Sequence, residues 1–138
     1  MDHLAIMKKL WGLTDKVLTG EKTVESRWYK NKRPPWGKIG PGDFVYFKDT
    51  GGLVRIRADV ERVLQFANLT KEKAEEILQK YGEADLGAKE IMPEIKKYAE
   101  GKNFCILVFL KNPQKVQPFQ IDKTGFGAMA SWISVKNI

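Results

Sequence analysis

From Leu53 to Phe66 the residues alternate: Val54, Ile56, Ala58 and Val60, with Val63 beyond, oppose Arg55, Arg57, Asp59 and Glu61. Successive side chains leave a strand on opposite faces, so this segment reads as one long, half-buried strand. Phe104 to Leu110 is apolar without interruption and reads as a central strand, covered on both sides. The two segments commit the chain to a sheet. His3–Met7, Thr23–Trp28, Asp43–Lys48 and Val116–Ile121 add further strands, the last after an Asn112-Pro113 turn. Asp49-Thr50-Gly51-Gly52 is a turn that makes its flanks a hairpin. A Gly-containing loop from Lys123 leads into a short closing strand that ends near Val135.

Helical spacing appears in three places. Leu10, Leu13, Val17 and Leu18 predict a helix over Lys9–Thr19, with Gly20 as its C-cap. Thr70 opens a second helix, whose stripe is Ala74, Ile77, Leu78 and Tyr81 and which Gly82 ends. A third runs from Pro93 to Ala99, after a looser Glu83–Met92 stretch. Between Tyr29 and Gly42, the residues Pro34, Pro35, Gly37, Gly40, Pro41 and Gly42 forbid regular structure. This order predicts an α+β, mainly β fold: a mixed, mostly antiparallel barrel with helices packed outside, formed by residues 1–138 as a single domain. A doubly wound nucleotide fold is excluded, since strands and helices do not alternate strictly and neither G-x-G-x-x-G nor a P-loop occurs.

Lone Cys105 sits in the apolar Phe104–Leu110 run, so no internal disulfide can form, which fits a reducing cytosol. One Cys and one His cannot build a metal site by themselves, and no metal or cofactor is expected. No apolar run approaches the roughly 20 residues of a membrane span, so a cytoplasmic location is expected. With 24 Lys and Arg against 17 Asp and Glu, the net charge of +7 favours an anionic partner. The abundance of Lys, Glu and Ile also resembles that of heat-adapted proteins.

The excess charge is local. Between Lys22 and Lys38 the bases Lys22, Arg27, Lys30, Lys32, Arg33 and Lys38 face only Glu25. Within the Thr23–Trp28 strand, Glu25 and Arg27 share one face, while Val24, Ser26 and Trp28 take the other. Opposite charges on one face hold each other in place, as suits a cleft that offers both an acceptor and fixed positive charge. Lys22 and Arg27 supply charge-assisted donors for phosphate. Glu25 supplies an acceptor for a base amino group or a hydroxyl. Trp36, flanked by Pro35 and Gly37, is the exposed stacking candidate among Lys30, Lys32, Arg33 and Lys38, whereas Trp28 shares a face with Val24 and belongs to the core. Ser131 and Trp132 form the opposite wall, and Trp11 packs helix on barrel. The plainer reading is a structural Glu25–Arg27 ion pair beside a solvated basic loop, with Trp132 as packing and His3 incidental. Lys71–Glu76 alternates in sign and reads as a solvated helix face.

Gly20, Lys22, Glu25 and Arg27 spell G-x-K-x-x-E-x-R, and Gly42-Asp43 then leads into Phe44–Phe47. In this the chain resembles the ASCH domain of the PUA-like superfamily, the match being strongest over the first third. The resemblance implies a pseudo-barrel whose cleft, lined by Lys22, Glu25 and Arg27, takes RNA or a nucleotide-like ligand. Some small members are amidohydrolases that deacetylate N4-acetylcytidine with a Lys, a Thr and a distant Glu. Lys22 stands at the Lys position, but Glu25 stands where those enzymes place the Thr. Two functions are therefore expected: an RNA-binding module, or a hydrolase of an acylated nucleoside with Lys22 and Glu25 as its catalytic pair.

Overall fold

The computed structural model describes residues 1–88, 93–123, 125–127 and 129–138. Its elements are β1 (Asp2–Met7), a 3-10 turn (Lys9–Trp11), α1 (Leu13–Thr19), β2 (Val24–Tyr29), β3 (Phe44–Asp49), β4 (Val54–Phe66), α2 (Lys71–Leu86), α3 (Pro93–Ala99), β5 (Phe104–Phe119) and β6 (Trp132–Val135). The strands form one sheet in the order β2-β5-β4-β3-β1-β6. Among the described residues only β1 and β3 run parallel; the other neighbours are antiparallel. The sheet curls into a half-barrel with the helices outside, as the α+β, mainly β expectation held.

Four expectations need correcting. The first helix is broken at Gly12, whose φ of 63° separates the 3-10 turn from α1, and Leu10 points fully into solvent instead of joining the stripe. Val116–Ile121 is not a separate strand. Asn112, with φ 50°, sits in a bulge of β5, and the ladder shifts register between Arg57 and Asp59, so one strand runs on where local chemistry spelled a turn. Gly82 does not end α2 but lies buried inside it; the helix continues to Leu86 and stops at Gly87, φ 64°. An αL cap favours a residue without a Cβ, and both glycines qualify by sequence. At Gly87 a Cβ would also come within 3.2 Å of the Glu21 backbone, so the helix end docks close against the α1–β2 connection. Fourth, His3 is not incidental: it is completely buried.

The outer face of the sheet is covered by these helices. Leu13 and Val17 of α1, Ile77 and Leu86 of α2 and Ile95 of α3 join the core with Val24 and Trp28. Cys105 is buried there, and burial pushes its thiol well above the ordinary range, which suits an inert core residue. Among the described residues no helix is long and apolar enough to cross a membrane.

Candidate nucleic-acid interface

Gly20, φ 82°, closes α1 and turns the chain, and the Lys22 N–H then donates to Lys16 O at 2.9 Å. β2 follows as an edge strand, paired with β5 so that Glu25 opposes Val108 and Arg27 opposes Ile106. As the alternation requires, Arg27 Nη2 donates to Glu25 Oε2 at 3.2 Å. Lys22 Nζ joins them 3.4 Å from Glu25 Oε1. The ammonium is also saturated: it donates to Val24 O, to Asp85 O and, at 2.7 Å, to Asp85 Oδ1. Asp85, Lys22, Glu25 and Arg27 therefore form a row of alternating charge, with side-chain exposures of 8, 0, 4 and 9 %. Lys22 thus does not offer its donors to a phosphate. A fully buried Lys takes every acceptor within reach, because an unpaired charge there costs several kcal/mol.

Asp85 was not foreseen. It comes from the last turn of α2, the part that lies beyond Gly82. Besides Lys22 it accepts from the Ser26 N–H at 3.1 Å and from Ser26 Oγ at 2.6 Å. Trp28 Nε1 in turn donates to Ser26 Oγ at 3.1 Å. One carboxylate so ties a helix end to an edge strand. Reading Gly87 as the helix stop would have brought Asp85 into view.

At the other end of the row, Arg27 Nη1 donates to Ser131 O at 3.0 Å and Nη2 lies 3.4 Å from both Ile6 O and Met7 Sδ. Its guanidinium lies 5.1 Å from the Trp132 ring. β2 and β6 are opposite edges of the sheet, so Arg27 bridges the half-barrel where no ladder does. Burial pulls this guanidinium down, but Glu25 beside it, helped by the Tyr29 and Tyr98 hydroxyls, raises it above its ordinary value. Ser131 and Trp132 meet Arg27 through a backbone carbonyl and a buried ring.

Beside Glu25 opens a hollow of about 40 Å³, lined also by Ser26, Asp85, Trp11, Trp28 and Tyr98. At its mouth Trp11 and Tyr98 meet edge to face at 6.2 Å, and Tyr98 is 36 % exposed. Lys8 Nζ lies 4.6 Å from the Trp11 ring and Lys102 Nζ 4.9 Å from the Tyr98 ring. A larger groove of about 810 Å³ runs between α2 and α3, away from the motif.

The basic loop leaves the end of β2 close by. Asn103, next to Lys102, donates through Nδ2 to Lys30 O at 2.9 Å. Burial raises the Tyr29 hydroxyl, Arg27 pulls it down, Tyr98 and Glu25 raise it, and Arg33 lowers it, so these groups share one neighbourhood. Lys30, Lys32, Arg33 and Lys38 are all exposed. Trp36 is only half-buried, packed 5.1 Å from Phe104, with Lys32 Nζ 5.8 Å from its ring. Trp28 is core. Among the described residues no cluster of His, Cys, Asp and Glu could hold a metal ion.

No protein-family model and no curated protein matches the chain. Solved structures do. An ASCH protein from Zymomonas mobilis superposes with a TM-score of 0.68 at 16 % identity, covering 98 % of this chain and 87 % of that one. A Tyr-to-Phe variant of the Zymomonas mobilis protein gives 0.69 at 18 %, covering 98 % and 90 %. A protein described as hypothetical gives 0.55 at 18 %, covering 84 % of this chain and all of the other. The chain has the ASCH fold.

Proposed function

We propose that this ASCH-fold chain is an RNA-binding module that reads an unpaired base at the hollow beside Glu25. The observation that carries the reading is Glu25 itself: a carboxylate held by Lys22 and Arg27, lining a hollow with aromatic rings and lysines at its mouth. The hollow is small, about 40 Å³. A base ring does not fit inside, but its amino group does, with the ring lying against Tyr98 and Trp11. An acceptor-only carboxylate prefers an edge that donates. Lys22 and Arg27 then act by holding Glu25 in place, not by touching phosphate. Phosphates fall to half-buried Lys102 and to the exposed cations Lys8, Lys30, Lys32, Arg33 and Lys38, with Trp36 as a second ring beside them.

Base–aromatic stacking contributes about 1–3 kcal/mol. Tyr98→Ala is accordingly expected to weaken single-stranded RNA binding about 5- to 150-fold, measured by fluorescence anisotropy at fixed salt. Lys32→Ala should weaken it less and make the salt slope shallower by about one. Binding that is indifferent to Tyr98→Ala removes the hollow from the interface.

One contact favours hydrolysis of an acylated nucleoside instead: Ser26 Oγ, a hydroxyl in the hollow, donates to Asp85 at 2.6 Å while Lys22 holds the other carboxylate oxygen. In that reading Ser26 is the nucleophile and Asp85 its base. Deacetylation of N4-acetylcytidine that disappears in Ser26→Ala, with RNA affinity unchanged, is its expected result; absence of turnover in the unaltered protein rejects it.

A further inference from the structure

A second cluster of polar groups lies where β1 meets β6 and the turn before β3, and shares the Trp132 ring with Arg27. His3 and Ser134 face each other across the antiparallel β1–β6 ladder. The Ile6 N–H donates to Ser131 O, so the alternation of the ladder puts His3 and Ser134 three steps away, at a non-hydrogen-bonded pair, where facing side chains come closest. Ser134 Oγ is 2.8 Å from His3 Nδ1, and His3 Nε2 is 3.0 Å from Asp43 Oδ2. Trp132 Nε1 lies 3.3 Å from the same Nδ1 and 3.2 Å from Ser134 Oγ. The Asp43 carboxylate only accepts, so the neutral ring carries its proton on Nε2 and Nδ1 is the accepting nitrogen. Ser134 then donates to Nδ1, and Nε2–H donates to Asp43.

A hydroxyl on the imine nitrogen of a neutral imidazole, with a carboxylate on the other ring nitrogen, is the arrangement that activates a serine. Asp43 is itself fixed, since its Oδ2 also accepts from the Gly40 N–H at 3.1 Å. His3 is fully buried and Ser134 is half-buried, so the serine is the more accessible of the two. We infer that Ser134 is a reactive nucleophile, with His3 as its base and Asp43 as a positioning residue, able to accept an acyl group from a small activated ester. In the step, Ser134 Oγ bonds to the carbonyl carbon as its proton passes to His3 Nδ1. The C–O bond to the leaving alcohol breaks and the alcohol takes the proton from Nδ1. Water then attacks the acyl-serine, gives its proton to Nδ1 and releases the carboxylic acid, and the hydroxyl of Ser134 recovers that proton.

Burial holds His3 below its ordinary value, opposed by Asp43 and more weakly by Asp2, while the N-terminal amine adds to the lowering. The imidazole is therefore unprotonated and available as a base at neutral pH. The test is labelling of the folded full chain with a fluorophosphonate probe, with the adduct located by peptide mass spectrometry. The expected adduct is on Ser134, absent from Ser134→Ala and from heat-denatured protein. In wild type its rate should rise with pH through an inflection below the usual imidazole range. Asp43→Asn should slow labelling at least 10-fold and move the inflection lower still, since Asp43 raises His3. His3→Gln, if it keeps the wild-type melting temperature, should abolish labelling. No adduct on Ser134 of the folded protein, or equal labelling of the denatured chain, overturns the inference. So does an Asp43→Asn variant of unchanged rate and pH profile.

Discussion

Asp85→Ala is expected to cost about 3–5 kcal/mol of stability, the usual penalty for stranding one member of a buried ion pair. Lys22, fully buried, loses one of its donors' acceptors outright, and the N–H and Oγ of half-buried Ser26 lose theirs. For a domain of this size each kcal/mol moves the midpoint by about 4 °C, so thermal unfolding should shift down by roughly 12–20 °C. The double variant Lys22→Met/Asp85→Leu should recover a large part of that loss, because removing both charges spares the cost of leaving one unpaired. A drop below about 1 kcal/mol for Asp85→Ala would mean that water solvates the Lys22 ammonium after all. The same reasoning makes Lys22→Ala a poor probe of RNA contact, since it is expected to unfold the protein before it reports on binding.

Arg27→Met should have an effect of similar size, about 3–5 kcal/mol, but in a different place. It leaves Ser131 O and Glu25 without their guanidinium and takes the cation from the Trp132 ring. Arg27→Lys should recover little, because a single ammonium cannot reach Glu25 and two carbonyl groups in the planar fork that Arg presents. Hydrogen exchange separates the two positions. With Arg27→Met the amides of β6 and of the β1 end at Ile6 and Met7 should lose protection first, while α2 keeps its own. With Asp85→Ala the last turn of α2 and the edge of β2 should open first. Uniform loss of protection in both variants would mean that the seam and the helix dock unfold as one unit.

The sequence disclosed what depends on near neighbours. The period-two pattern of Leu53–Phe66, the Gly20 cap, the bounds of α3 and the pairing of Glu25 with Arg27 all follow from residues a few positions apart. What it concealed depends on competition or distance. Gly82 and Gly87 both qualify as helix stops, and only packing of α2 against β2 decides that the helix runs through the first. That choice hid Asp85, which sits 63 positions from Lys22. Asn112-Pro113 has the chemistry of a turn, yet the partner strand β4 carries the ladder past it as a bulge. His3 gives no local cue at all: its partners Asp43 and Ser134 are 40 and 131 residues away, joined only by the ladder. Whether a charge faces water or an interior carboxylate is likewise a property of the assembled fold, which is why Lys22 read as a free cation.

The row Asp85, Lys22, Glu25 and Arg27 holds two cations and two anions, so from outside the molecule it is nearly silent. With zero net charge its field falls off faster than that of a single ion, while the +7 surplus is carried by residues elsewhere, such as the exposed lysines of the 30–38 loop. Ionic strength therefore acts on two things separately: raising it screens the attraction that draws a polyanion in, yet barely touches the contacts that keep the fold closed. Surface lysines can be exchanged to retune that attraction without disturbing the interior row.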